Sequence, residues 1–69
     1  MDKRLEGFMK EKIGVDSSDL AKMSETEIDA IYEKAMAIEE RLSVKYENEK
    51  EAPEELTMAA NMVDYIYKL

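Results

Sequence analysis

The 69-residue chain contains no cysteine and no histidine. Disulfides and thiolate or imidazole metal ligands, the usual staples of a small scaffold, are therefore excluded. The same absence removes the commonest general base and the commonest strong nucleophile. Acid–base chemistry would have to rest on a buried carboxylate or lysine. No run of apolar residues approaches the roughly 20 needed to span a bilayer. The opening MDKRLEGFMKEK has no uninterrupted apolar stretch, so a secretory signal is not expected and a cytoplasmic setting is. Alternating apolar and polar runs bounded by turn residues are missing, which leaves no strand to propose. No repeat occurs at solenoid periods.

Positive charge is also in short supply. Ten Lys and Arg stand against 17 Asp and Glu, a net charge of -7. Attraction to a phosphate backbone needs clustered basic residues, so direct binding to nucleic acid is not expected. The imbalance is uneven. Residues 1–14 hold Lys3, Arg4, Lys10 and Lys12 against Asp2, Glu6 and Glu11, a net +1, and the remainder carries -8.

What the chain does have is helical periodicity. At this length there is room for one domain, which buries only about 60% of its unfolded surface. A first helix is expected from about residue 3 to 13, capped by Asp2. Leu5, Phe8, Met9 and Ile13 form its apolar stripe. Glu6 and Lys10 stand at i,i+4. Gly7 weakens its interior, and Gly14 is a suitable left-handed stop. Residues 14–23 read as a connector, in which Asp16, Ser17 and Ser18 favour a turn or cap. Asp19 to Lys22 can add a short helical turn.

The second helix, about 25–46, has the clearest start. Ser24 and Glu27 make a capping box, with Met23 and Ile28 as its hydrophobic staple. Ile28, Ile31, Tyr32, Ala35, Ile38, Leu42 and Tyr46 fall in one arc of about 120°, an ordinary core-facing stripe. Ala30, Ala37 and Val44 recur every seven residues on the opposite side and read as small exposed residues. An acidic linker, 47–52, follows. Its lack of apolar anchors predicts a mobile surface segment.

Pro53 opens the last helix, about 53–68, at a position where its missing N–H costs nothing. Glu54 and Glu55 suit the positive end of the helix dipole, and Asp64 and Lys68 pair at i,i+4. The segment ELTMAANMVDYIYKL holds ten apolar or aromatic side chains in fifteen positions. On a wheel, Thr57, Asn61, Asp64 and Lys68 share a polar strip about 60° wide, and the apolar arc is about 220°. An amphipathic surface helix needs a stripe only somewhat over 100° wide. Leu56, Ala59, Ala60, Val63, Ile66 and Tyr67 make one side of that arc, and Met58, Met62, Tyr65 and Leu69 the other. The first helix is short. The second edge is therefore expected to remain uncovered and to meet a partner or a second copy of the chain. Adaptable Met and amphipathic Tyr suit such a surface.

Some segments resemble known families in a few residues. Asp19 to Ile28 is similar to a helix-turn-helix in its Leu20-Ala21 pair. Its spacer is too short, and Glu25, Glu27, Asp29 and Glu33 would repel phosphates. Gly14 to Leu20 resembles acyl carrier proteins, which attach phosphopantetheine to a serine. Ser18 here follows a second serine, and the segment before it is too short for that family's first helix and loop. Asp16 to Asp19 lacks the central glycine and distal glutamate of a calcium loop. The glutamates of the second helix lack the Glu-x-x-His companion of a di-iron site.

The reading is a small three-helix, all-α bundle, with self-association through the C-terminal helix expected. Catalytic activity, a cofactor and a metal are not expected. The leading function is a protein–protein interaction module or small regulator acting on a partner protein, with Met58, Met62, Tyr65, Leu69 and Tyr46 as its interface. A second reading is an acidic mimic of nucleic acid that blocks a nuclease or defence complex, as phage-borne inhibitors do. Glu25, Asp29, Glu33, Glu40, Glu47, Glu49, Glu51, Glu54 and Glu55 would carry that role. A structural subunit of a homo-oligomer is the third.

Overall fold

A computed structural model describes residues 3–48 and 53–69. Four helices occur among them: α1 (Lys3–Ile13), α2 (Ser17–Ala21), α3 (Glu25–Lys45) and α4 (Glu54–Tyr67). The all-α bundle expected from the sequence is what forms, with one short helix more. The expected Asp2 cap and residues 49–52 of the acidic linker lie outside the described residues.

Each helix boundary has a local cause. Gly14 ends α1 at φ 76°, and its amide donates to the Lys10 carbonyl at 3.1 Å, the left-handed stop that glycine alone adopts without strain. Next, Asp16 caps α2 through a reciprocal box with Asp19. The Asp19 amide donates to Asp16 at 3.0 Å, and the Asp16 amide donates to Asp19 at 3.1 Å. This box turns the expected connector into a helix. Its purpose in the fold is Leu20, which is buried in the core.

Ser24 and Glu27 form the second box. The Glu27 amide donates to the Ser24 hydroxyl at 3.3 Å and the Ser24 amide to the Glu27 carboxylate at 3.4 Å. Met23 and Ile28 both pack against the core, as a staple should. Pro53 sits one position earlier than expected. It is the N-cap of α4 at ψ 158°, and its carbonyl accepts from Leu56 and Thr57. Extended backbone is the conformation its ring favours at that point.

The core is formed by Met9, Ile13, Leu20, Ala35, Met62 and Ile66. Burying each of the larger ones is worth about 1.5–3 kcal/mol. Around them pack Leu5 and Phe8 of α1, Ile28, Ile31, Tyr32 and Ile38 of α3, and Val15 and Met23 from the connector. The α3–α4 pairing is the most extensive, and α1 closes the other side of α4. Among the described residues no polar or charged side chain is fully buried.

The α1 and α3 stripes face inward as expected. The orientation of α4 differs from expectation. Ala59, Met62 and Ile66 are its buried line, while Met58, Val63 and Tyr65 are half-buried on either side. Met62, expected on the external edge, is 0% exposed. Ala60 and Tyr67, expected inside, face solvent. Val15, Leu20 and Met23 of the connector join the same core, and α4 packs against both α3 and α1. An apolar arc of about 220° exceeds what two flanks can cover. The surplus falls on the side next to α3, at Tyr67.

Candidate interaction surface

The expected interface residues are split by the fold. Met58 lines a shallow groove between α1 and α4 with Phe8, Arg4 and Lys12. Tyr65 packs against the core, and Met62 is within it. Tyr46 is half-buried at the end of α3, where its hydroxyl donates to Glu55 at 2.9 Å. Only Leu69, at 55% exposed, remains open as expected.

The acidic residues divide as well. Glu54 pairs with Arg4. Glu55 lies 3.5 Å from Lys12 in addition to Tyr46. The Tyr46 hydroxyl, with Lys12 beside it, holds the Glu55 carboxyl below its ordinary value. Glu49 and Glu51 lie outside the described residues. Glu25, Asp29, Glu33, Glu40 and Glu47 are all exposed.

Four of the six acids of α3 line up. Glu25, Asp29, Glu33 and Glu40 fall within an arc of about 80° at 100° per residue. They run along about 22 Å of helix at 1.5 Å per residue. Lys34, Arg41 and Lys45 fall together on the other flank, roughly 130° away. Between the two bands run Ala30, Ala37 and Val44, exposed as expected. Glu27 is exposed at the same angle as Lys45, so one flank of α3 is an acidic band and the other is mixed and mainly basic.

Apolar groups are set into the acidic band and beside it. Met36 projects from the band and is 47% exposed. At its N-terminal end the band meets the C-terminal end of α4. There Glu25 and Asp29 share a groove with Ile28, Tyr32 and Ile66, and with Tyr67 and Leu69 from the other wall. The Tyr32 and Tyr67 rings stand 6.1 Å apart and are tilted by 39°, within the range of a favourable aromatic pair. Tyr67 is nonetheless 73% exposed. Lys68, the nearest basic residue in sequence, points to Asp64 at 3.0 Å and does not line the groove.

No family model matches this chain, and no curated protein or solved structure matches it.

Among the described residues no group of three or more Asp and Glu side chains is placed to hold a metal ion. No helix there is long and apolar enough to cross a membrane. Tyr67 and Met36 are the two surface residues that sequence reasoning missed. A signal for Met36 was present, since it lies at the same helical angle as the acids. For Tyr67 the wheel gave none, because it sits inside the apolar arc.

Proposed function

We propose that the chain is a non-enzymatic protein–protein interaction module whose contact surface is the acidic flank of α3 together with Tyr67 and Leu69. The observation that carries this reading is the groove at the α3–α4 end. Two large apolar side chains stay open to solvent there beside two carboxylates, in a chain that buries its other large α4 residues at least in part. Exposed apolar groups rimmed by charge mark interaction sites, and tyrosine is enriched in them. The partner's matching face is apolar at the centre and basic at the rim. Capture from a host lysate tests the reading, comparing the wild-type chain with Tyr67→Ser/Leu69→Ser. A partner lost with the double variant and kept by Val44→Ser supports it.

The alignment of Glu25, Asp29, Glu33 and Glu40 favours a second reading, in which the acids imitate a phosphate array and occupy a basic groove. Salt separates the two. Contacts between exposed charges weaken once the Debye length falls to about 3 Å near 1 M salt, and a mimic would be washed off. Burial of Tyr67 and Leu69 would persist.

A further inference from the structure

The groove between the start of α3 and the end of α4 also constrains the shape of what fills it. We infer, resting on the interaction reading above, that its occupant is a cationic amphipathic helix of a partner protein. That helix lies along α3, with its apolar side on Tyr67, Leu69 and Tyr32 and its basic side on Glu25, Asp29 and Glu33.

Three observations select this occupant. The first is charge. Among the described residues no basic side chain lines this groove. In the groove at Met58, Glu54 and Glu55 are matched by Arg4 and Lys12. The groove beside Gly14 mixes Lys10 and Lys22 with Asp19 and Glu27, and the α3 face near Val44 sets Arg41 beside Glu40. The α3–α4 groove thus has uncompensated negative charge around an apolar floor, and complementarity calls for a cation with an apolar side.

The second is spacing. Glu25, Asp29 and Glu33 are four residues apart, so each step along α3 rises about 6 Å. Lys or Arg at every third or fourth position of a helix lying alongside repeats at nearly the same distance. The third is backbone chemistry. The described residues include no strand, so an extended peptide has no sheet edge to join. Helix-in-groove recognition, through anchors at i, i+3, i+4 and i+7, remains.

The probe is a synthetic Leu/Lys peptide of roughly 18 residues, long enough to hold a helix, with Leu at i, i+3, i+4 and i+7. One control has the same composition in strict alternation, which gives a strand period. Another replaces Lys by Glu. Titrations are read by calorimetry and by amide shifts of the labelled chain. The helical peptide is expected to bind at least about tenfold more tightly than either control. The shifts should centre on residues 25–33 and 66–69. Tyr67→Ser/Leu69→Ser should weaken it about tenfold, as loss of a central anchor does. Glu25→Gln/Asp29→Asn should weaken it and flatten its salt dependence. Val44→Ser should leave it unchanged. Equal affinity for the helical and alternating peptides overturns the inference, as do shifts centred on Ala30, Ala37 and Val44. If the helical peptide fails yet the lysate partner is still lost with Tyr67→Ser/Leu69→Ser, the helix is wrong and the interaction surface stands. If the lysate partner is indifferent to that variant, the surface itself is wrong.

Discussion

The Tyr46 hydroxyl donates to the Glu55 carboxylate at 2.9 Å, joining the last residue of the α3 register to the first turn of α4. Lys12 of α1 reaches the same carboxylate at 3.5 Å. One side chain thus ties three helices together, and it does so on either side of the acidic linker. Both Tyr46 and Glu55 read from the sequence as surface for a partner. In the fold they are occupied with each other. Tyr46→Phe keeps the ring and removes the bond. It should lower the melting temperature by a few degrees without changing the helix content seen by circular dichroism.

The pH dependence of that tie has a definite sign. The Tyr46 bond and Lys12 hold Glu55 below its ordinary carboxylate value, and the Asp16 amide and Lys10 hold Asp19 below its own. A carboxyl whose folded value is depressed stabilises the fold fully above its ordinary value. That stabilisation is lost as pH falls through the depressed one. The melting temperature should therefore be level near neutrality and fall below about pH 4, where carboxylates take up protons. Tyr46→Phe should cost less at pH 3 than at pH 7. A cost that is larger at pH 3 would contradict the arrangement.

The two glycines should respond oppositely to the same substitution. Gly7 lies in the α1 interior with open space around an added Cβ. Gly7→Ala should stabilise the domain by about 0.8–1 kcal/mol through helix propensity. That corresponds to a melting point roughly 4–8 °C higher for a domain of this size. Gly14 holds φ 76°. Gly14→Ala forces a Cβ into the left-handed region and should cost about 1–2 kcal/mol. Thermal melts of the two variants side by side check both.

Ser24→Ala removes the oxygen that accepts the Glu27 amide, and should cost about 1 kcal/mol. Ser24→Asp keeps an acceptor at the cap and should recover most of that. Denaturant midpoints of the three chains decide it. Equal midpoints for Ser24→Ala and wild type would show that the box contributes nothing.

How much of this was legible beforehand depended on what each signal encodes. The Ser24–Glu27 box, the Gly14 stop and the α1 and α3 stripes were readable, because each is a local rule of spacing or backbone preference. Asp16 and Asp19 carried the α2 box in plain view. Its shortness hid it, since five residues give no periodicity. The face of α4 was not readable, because an apolar arc wider than one neighbour does not say which edge the neighbours take. That was decided by how α3 and α1 pack against it across the fold. The acidic flank of α3 was present in the sequence residue by residue. Its junction with Tyr67 and Leu69 needed the helices to be placed.

Core and surface in α4 separate cleanly by substitution. Met62→Ala should cost about 2–5 kcal/mol, the range for a large core residue cut to alanine. That is a large part of the total for a domain this small. Leu69→Ser should change stability by less than about 0.5 kcal/mol, as exposed substitutions do, and Tyr67→Ser, which also loses the ring pair with Tyr32, by about 1 kcal/mol. If Met62→Ala is as mild as Tyr67→Ser, Met62 does not lie in the core.

The most direct measurement is methionine oxidation by dilute peroxide, followed site by site with mass spectrometry, since conversion to the sulfoxide follows exposure. Met9 and Met62 are 0% exposed and Met36 is 47% exposed. Met36 should oxidise first, with Met62 protected as strongly as Met9 and its protection unchanged by dilution. Oxidation of Met62 at the rate of Met36 would contradict its enclosure by its own chain, and protection that fades as the protein is diluted would show that a second molecule covers α4 instead.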